Sequence, residues 1–515
     1  MKNKYIFPPV RRIAALALLC ALMLGTLCGC GVIVINTPGE VTSEEATTVA
    51  PETENPPATE STPNTEAPDV TDQPPETTEA PVVTEPPTPV TFPSRLEEAE
   101  ERLDALQAVI DISDFDLVAT AAKETVDVIF SNEDSPLYAS RSNRNLMLYE
   151  KYGVDLLTIY QERVDTDKLY DDLLLALESG SSHDFYLDLL VIPANSAGKF
   201  LAKGLLKDMR ELPFYDATSG TQSGNVGSSR YFDLGDGSDA PECIYAIYFN
   251  RALVGSEAEN MLYSAALDGN MSWDLLLTVA KSLNSTEADI AVADGDNSLP
   301  GVIAASLLGI DYVTKDQAGV PKITISDSDV QTVDSLIESI SKLNFYKTTE
   351  GGMSVIDAFL AGKTPFYLGT LYEMADFYDD PIEWGILTLP SDKDLGAVSD
   401  NRPVVCIPAT STRLEQTSIW LTGFNAASGD WIRDQFLLNS AEEYLRDNDS
   451  CLSLFKILSQ KTEIGFERLF AGYYEGLADA TFGAAGNALN GGAKFSETLA
   501  NKIKAVNKKL AKLPS

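Results

Sequence analysis

Hydrophobic positions along the chain switch between two periods. Leu96, Leu103, Leu106, Val109 and Ile110 recur at helical spacing. They follow Ser94-Arg-Leu-Glu97, a capping-box pattern, and predict a helix over 94–110. Residues 126–130 (VDVIF) predict a strand, 143–152 a helix and 154–160 a second strand. Apolar residues at 169, 173, 174 and 177 predict a helix over 165–178. Residues 185–192 are almost continuously apolar, the pattern of a strand covered on both faces. A further helix starts at Asn195. Strand–helix alternation of this kind predicts a mostly parallel sheet with helices on both faces.

The pattern then begins again. Residues 244–249 predict a strand, and 273–283 a helix with Ser272 as its N-cap. Helices are expected at 330–343 and 354–361, and strands at 364–368, 384–389 and 404–408. From 414 to 510 the chain reads as mainly helical, broken by the Gly/Ala/Asn stretch 483–493. The fold class is therefore α/β, built from two such units. No internal repeat and no second long apolar span are visible in the sequence.

The N-terminus has a different pattern. Lys2, Lys4, Arg11 and Arg12 precede an apolar run over 13–27. That is secretory-signal architecture, and the run is short for a membrane span, which takes about 20 apolar residues. Leu27-Cys28-Gly29-Cys30 resembles the lipobox of bacterial lipoproteins. The resemblance implies cleavage after Gly29 and lipid on Cys30. It places the chain on the outer face of the cytoplasmic membrane, in the extracellular cell-wall space. Residues 31–93 are dominated by Thr, Pro, Glu and Val. Such a composition cannot bury enough apolar surface to offset chain entropy, which predicts an extended, disordered tether over 30–93.

The formal net charge is −39. Nucleic acid is excluded as a partner, because phosphates need Lys and Arg. The one histidine, His183, excludes His-cluster zinc sites and the H-E-x-x-H pattern. No G-x-S-x-G elbow accompanies it. Gly362-Lys363-Thr364 resembles the end of a phosphate-binding loop, but Asp357 stands where that loop needs glycine. Asp294-Gly-Asp296-Asn297 lacks the glycine of a calcium loop, having Leu299 there. Carboxylates are plentiful, and nothing singles out a glycosidase pair. No catalytic residue, metal site or cofactor is expected. Beyond the signal and Cys30 stand Cys243, Cys406 and Cys451. Two readings stay open for them, one long-range disulfide or buried free thiols.

The succession of segments resembles the extracellular solute-binding lipoproteins of ABC importers, the large family that includes maltose- and other sugar-binding proteins. YEKYGVDLLTIY (149–160), DDLLLALESGSSHDFYLDLLVIP (171–193) and LAKGLLKDMRELPFYD (201–216) look like its first lobe. IYAIYFNRALV (244–254), MSWDLLLTVAKSL (271–283) and FLAGKTPFYLGTLYEMADF (359–377) look like the return strand, a Trp-Asp helix start and a Gly-Lys strand. WGILTLPSDKD (384–394) and VVCIPATSTRLEQTSIWLTGF (404–424) look like the closing strands and helix. The family's aromatic-rich stretch after the Gly-Lys strand is LGTLYEM here, with Tyr372 as its one ring.

The resemblance implies a two-lobed, type II periplasmic-binding-protein-like fold, each lobe an open sheet flanked by helices, joined by a hinge with several crossings. The expected divisions are a signal over 1–29, the tether over 30–93 and a helical lead-in over 94–123. Lobe 1 is expected at 124–247 plus 360–410, and lobe 2 at 248–359 plus 411–515. Crossings are expected near 245–250, 355–363 and 408–415. Ligand contacts are expected from loops after strands, at Asn132, Glu133, Asn195, Thr370 and Tyr372, with Tyr231 and Phe232 as a stacking face. A purely structural role for each of these residues stands beside that reading. The implied function is capture of a small solute, above all a sugar or oligosaccharide, and delivery to ABC permease subunits by a monomeric receptor. The alternatives are an anchored glycoside-acting hydrolase and a wall-associated scaffold or adhesion protein.

Overall fold

The computed structural model describes residues 95–513 except 108–114, 123–134, 159–163, 181–186, 216–224, 284–285, 294–296, 309, 349–351, 379, 392–401 and 461–463. Four strands, β1 (Phe115–Ala121), β2 (Val154–Thr158), β3 (Leu189–Pro193) and β12 (Pro403–Cys406), form a first sheet in the order β12-β3-β1-β2. β1 runs parallel to β2 and β3, while β12 is antiparallel to β3. A second sheet holds β6 (Tyr245–Asn250), β7 (Ile290–Val292), β10 (Phe366–Thr370) and β11 (Trp384–Leu387), ordered β11-β6-β10-β7. Here β10 is parallel to β7, and β6 is antiparallel to both β10 and β11. Two short hairpins complete the strands, β4 (Asn225–Val226) with β5 (Ser229–Arg230), and β8 (Val313–Lys315) with β9 (Pro321–Ile323).

The helices used below are α1 (Leu96–Gln107), α2 (Tyr138–Tyr152), α3 (Thr166–Ser179), α4 (Ala194–Ala202), α5 (Trp273–Ser282), α6 (Leu299–Leu307), α7 (Asp327–Ile340), α8 (Leu414–Ala426), α9 (Asp430–Glu443), α10 (Asn448–Ser459), α11 (Phe466–Leu469), α12 (Phe482–Leu489) and α13 (Phe495–Leu510). Their ends follow local chemistry. Asp165 caps α3 by accepting from the Lys168 amide at 2.8 Å, and Ser272 caps α5 by accepting from Leu275 at 3.2 Å. Gly153 and Gly180 close α2 and α3 in the left-handed conformation, where a side chain would be strained.

Most expected elements are present within a few residues, but four expectations fail. The segment 94–123 is not a purely helical lead-in, because it contains β1, the strand that pairs with both β2 and β3. FDLVATA is weak in β-formers, since Asp and Ala are depleted in strands. It is held instead by burial of Leu117, Ala119 and Ala121. The strand expected at 126–130 lies outside the described residues. The stretch expected to break the C-terminal helices is α12 over most of its length. Its small residues permit close helix contact: a Cβ on Gly301 of α6 would lie 3.0 Å from the Ala485 carbonyl oxygen, and one on Gly486 would meet Val302 at 2.9 Å.

The last two corrections concern the lobes. Residues 366–370 and 384–387 pair with β6 and β7, so most of 360–410 belongs to the second sheet and only β12 returns to the first. The chain therefore changes sheet within 233–244 and again between the end of β11 at Leu387 and the start of β12 at Pro403, not near 245–250 or 355–363, which are strand and helix of the second sheet. α8 follows β12 and packs beside β1 and α2, so 408–415 is not a crossing either. The chain leaves again between α8 and α9, since α9 and α10 bury Trp431, Phe436, Leu454 and Ile457 against Tyr248 and Ile386 of the second sheet.

One hydrophobic cluster joins the first sheet to elements later in the chain. Leu190, Ile192 and Phe200 from the first share it with Tyr312, Val333 and Ile337, and with Leu477, Phe495 and Val506 near the C-terminus. No disulfide joins Cys243, Cys406 and Cys451, and burial pushes the Cys406 thiol pKa far up, which keeps it protonated. Among the described residues no helix is long and apolar enough to cross a membrane.

Candidate functional site

Strand direction locates the site. Entering the second sheet at Tyr245, β6 starts opposite Thr370, the last residue of β10. Returning to the first sheet at Pro403, β12 starts opposite Pro193, the last residue of β3. Each sheet thus has one strand running against its parallel neighbours, and it is the strand reached by crossing. Both crossings enter at the carboxyl ends of parallel strands, the edge at which open α/β sheets bind ligands.

At the carboxyl end of β10 lies a shelf of three tyrosines. Thr370 is tied to Glu373: its Oγ1 donates to Glu373 Oε2 at 3.0 Å, and its amide donates to the same oxygen. Tyr367 also donates to this carboxylate, at 3.1 Å. The resulting turn, Leu371–Met374, projects Tyr372 outward, 47 % exposed. Tyr378 is equally exposed, and its ring meets Tyr444 edge-on with centroids 5.9 Å apart. Burial, then Glu443, with Tyr372 and Tyr378 as further contributors, pushes the Tyr444 hydroxyl pKa up to about 12. The Tyr444 hydroxyl therefore stays protonated through the physiological range. The shelf meets the other sheet's loops through α9, whose Asn439 donates to the Pro136 carbonyl at 2.7 Å; Leu137 packs in the same cluster as Met374 and Tyr444.

Next to the shelf, arginines hold the crossing 233–244. Arg433 of α9 grips Asp239 with two hydrogen bonds of 2.5 and 3.0 Å, and gives Nη1 to the carbonyls of Leu458 and Gln460. Arg402, next to β12, donates to the Leu234 carbonyl at 3.0 Å. From α2, Arg141 pairs with Glu242 at 2.7 Å, and Arg144 lies over the Phe424 ring at 4.3 Å. Burial opposes ionisation of Asp239, but Arg433, then Arg402 and Arg141, outweigh it and hold its carboxyl below the usual range. The crossing lies flat on α8. A Cβ on Gly237 would meet the Phe424 ring at 2.1 Å, so glycine is required for that approach.

The structure redistributes the sequence-predicted residues. Thr370 and Tyr372 belong to the shelf, Thr370 as its support and Tyr372 as its face. Asn195 is exposed at the start of α4, directly after β3, where Ser196 Oγ donates to its Oδ1 at 3.1 Å. Tyr231 and Phe232 are not a stacking face. Both are core side chains, 9 % and 1 % exposed, and Phe232 packs edge-on against Phe470 at 5.5 Å. Asn132, Glu133, His183 and Cys30 lie outside the described residues. Sequence reading missed Tyr378 and Tyr444. Tyr378 was visible six residues after Tyr372; Tyr444 joins only through the tertiary placement of α9.

No protein-family model matches the sequence, and no curated protein matches it. Solved structures do resemble the fold. One is the galacto-N-biose/lacto-N-biose I-binding protein of a Bifidobacterium longum ABC transporter, at 13% identity and TM-score 0.48, covering 78% of this chain and 98% of that one. Another is an ABC-transporter-associated binding protein from B. animalis subsp. lactis in complex with beta-1,6-galactobiose, at 15% identity and TM-score 0.48, covering 78% and 99%. A third is an ABC substrate-binding protein from Listeria monocytogenes in complex with cycloalternan, at 12% identity and TM-score 0.45, covering 77% and 99%. At these scores the likeness adds nothing to what the strand order establishes.

Proposed function

We propose that the protein is the solute-capturing component of an ABC importer, a binding protein rather than an enzyme, and that its solute is a carbohydrate. The observation that carries this reading is the reciprocal entry of β6 and β12 at the strands' carboxyl ends. It turns the ligand-binding edges of two open sheets to the segments that join them. The tyrosine shelf supports the choice of ligand. The half-exposed rings of Tyr372 and Tyr378 offer an apolar face to a sugar ring and phenol groups to its hydroxyls. In this reading Cys30 carries the lipid, residues 30–93 form the tether, and tethering keeps the receptor at high effective concentration near its permease.

A thermal-shift screen of the full-length chain against oligosaccharides, peptides and polyamines tests this. A bound oligosaccharide at a hundredfold excess over its Kd adds about 2.7 kcal/mol of stability and raises the midpoint. Stabilisation by oligosaccharides that is lost in Tyr372→Ala supports the proposal. No shift with any saccharide, or turnover of a glycoside, overturns it.

A further inference from the structure

One helix packs in the cores of both sheets and touches two of the chain links between them. α1 (Leu96–Gln107) buries Leu103, with Leu106 beside it, in the cluster of Leu117, Val191 and Val405 from the first sheet. One turn earlier it buries Ala99, with Leu96 beside it, in the cluster of Tyr248 and Ile386 from the second. Positions 96, 99, 103 and 106 recur at helical spacing, so a single apolar stripe serves both sheets.

Polar contacts follow the same division. At the first-sheet end, Tyr152 of α2 donates to the Leu103 carbonyl at 3.2 Å, and Lys151 pairs with Asp104. At the second-sheet end, Arg95, just before α1, donates to both oxygens of Asp434 on α9 at 3.0 and 2.7 Å, and to Asp430 at 2.5 Å. Arg102 reaches the links themselves. It donates to Asp236 of the crossing 233–244 at 3.2 Å, and to the Ser428 carbonyl, between α8 and α9, at 2.6 Å. Gly429, the next residue, has φ +99°, and a Cβ there would meet Arg102 Nη2 at 2.2 Å. Both the backbone and the guanidinium lying against it require glycine. The two ends are unequally fixed. Leu103 is fully buried, whereas the second-sheet end offers one methyl group, Ala99, and a guanidinium 35 % exposed. Exposed ion pairs weaken in salt, and burial of a leucine does not.

We infer that α1 is a strap across the hinge, fixed to the first lobe at Leu103 and holding the second lobe through Arg95, and that it limits the movement of one lobe against the other. Arg102 bonds two links at once, so a shift of either link is carried to the other. A movement that draws α9 away from α1 breaks the Arg95 pairs first, because they are the exposed end of the strap. The strap is then a salt-sensitive restraint on the hinge, built from a helix that precedes the first strand of either sheet.

Hydrogen–deuterium exchange on the full-length chain, without ligand, tests the strap. Arg95→Gln removes none of the hydrogen bonds described for residues 236–239, yet it raises exchange at their amides about tenfold, the worth of one hydrogen bond to a charged group. Arg102→Gln does the same at 236–239 and at 428–432. Asp104→Asn, at the first-sheet end, leaves both links as in the parent. In the parent, 1 M sodium chloride moves the same amides in the same direction by a smaller factor, a measurement that needs no variant to fold. Exchange in β1 and β3 stays unchanged throughout. The inference is overturned by unchanged exchange at 236–239 in Arg95→Gln, by a rise of equal size in β1 and β3, which makes α1 an ordinary part of the core, by an equal rise in Asp104→Asn, or by indifference of the parent to salt. Because no solute is present, the outcome is independent of the oligosaccharide proposal.

Discussion

The crossing 233–244 and the tyrosine shelf sit at the same end of the strands, yet they are built from opposite materials. At the crossing, buried arginines meet buried carboxylates and backbone carbonyls. On the shelf, the half-exposed rings of Tyr372 and Tyr378 lie at the solvent edge, Tyr372 on a turn capped by Glu373 and Tyr378 against the buried Tyr444. Charges buried at the crossing are costly to desolvate and tolerate no missing partner, so that region fixes geometry. Rings at a solvent edge lose little when they are trimmed, so that region can change its ligand without changing the fold. In the proposed function, the contrast separates what holds the two sheets in place from what would contact the solute.

The largest effect should come from breaking the clamp. Arg433→Met leaves Asp239 buried without its main cation and orphans the Leu458 and Gln460 carbonyls. A loss of about 3–5 kcal/mol is expected, read as a fall in the urea midpoint. Replacing both partners, in Arg433→Met with Asp239→Leu, should recover much of that loss, because the uncompensated charge is gone. If the single substitution costs no more than an exposed ion pair, under about 1 kcal/mol, the crossing is not the rigid element described.

On the shelf the order of effects reverses. Tyr372→Ala should weaken oligosaccharide binding about tenfold while moving stability by less than about 0.5 kcal/mol. Tyr444→Ala should do both, since Tyr444 is also core. Isothermal titration beside denaturant melts separates the two. A Tyr372→Ala protein that loses stability and keeps affinity would exchange the roles of the two regions.

How much of this was legible in the sequence follows from the same contrast. β3, β6 and β10 were visible because continuous apolar runs have one reading. Lobe membership was not, because it depends on which sheet a strand joins, and β10 and β11 carry no local mark of that choice. β1 was invisible, since its strand character comes from neighbours that bury Ala119 and Ala121, not from its own residues. Tyr372 was found as a ring in a post-strand loop. Tyr231 and Phe232 have the same local look, and only their burial, with Phe470 from far along the chain against Phe232, shows that they are core. The arginine clamp escaped because its members come from α2, the start of β12 and α9, with no spacing in common.

The smallest effect concerns a partly buried carboxylate without a clamp. Burial, with Asp311 adding to it against the opposing Arg468, pushes the Glu467 carboxyl pKa up to about 7. The two carboxylates then respond to pH in opposite senses. Asp239, held low, contributes stability above its unfolded pKa, and that contribution is lost as pH falls through its folded value. Glu467, held high, contributes below its unfolded value near 4.5, and the contribution is lost as pH rises from there to about 7. Glu467→Gln should therefore match the parent near pH 4.5 and exceed it by about 1 kcal/mol at pH 8, with a flatter melting profile between. Gly465 lies so close that a Cβ there would meet Glu467 Oε1 at 2.1 Å. Gly465→Ala should consequently displace the carboxylate toward water, lower its pKa and flatten the same profile. A profile that stays steep in Glu467→Gln would assign the alkaline loss to another group and leave the clamped crossing as the one pH-sensitive element identified.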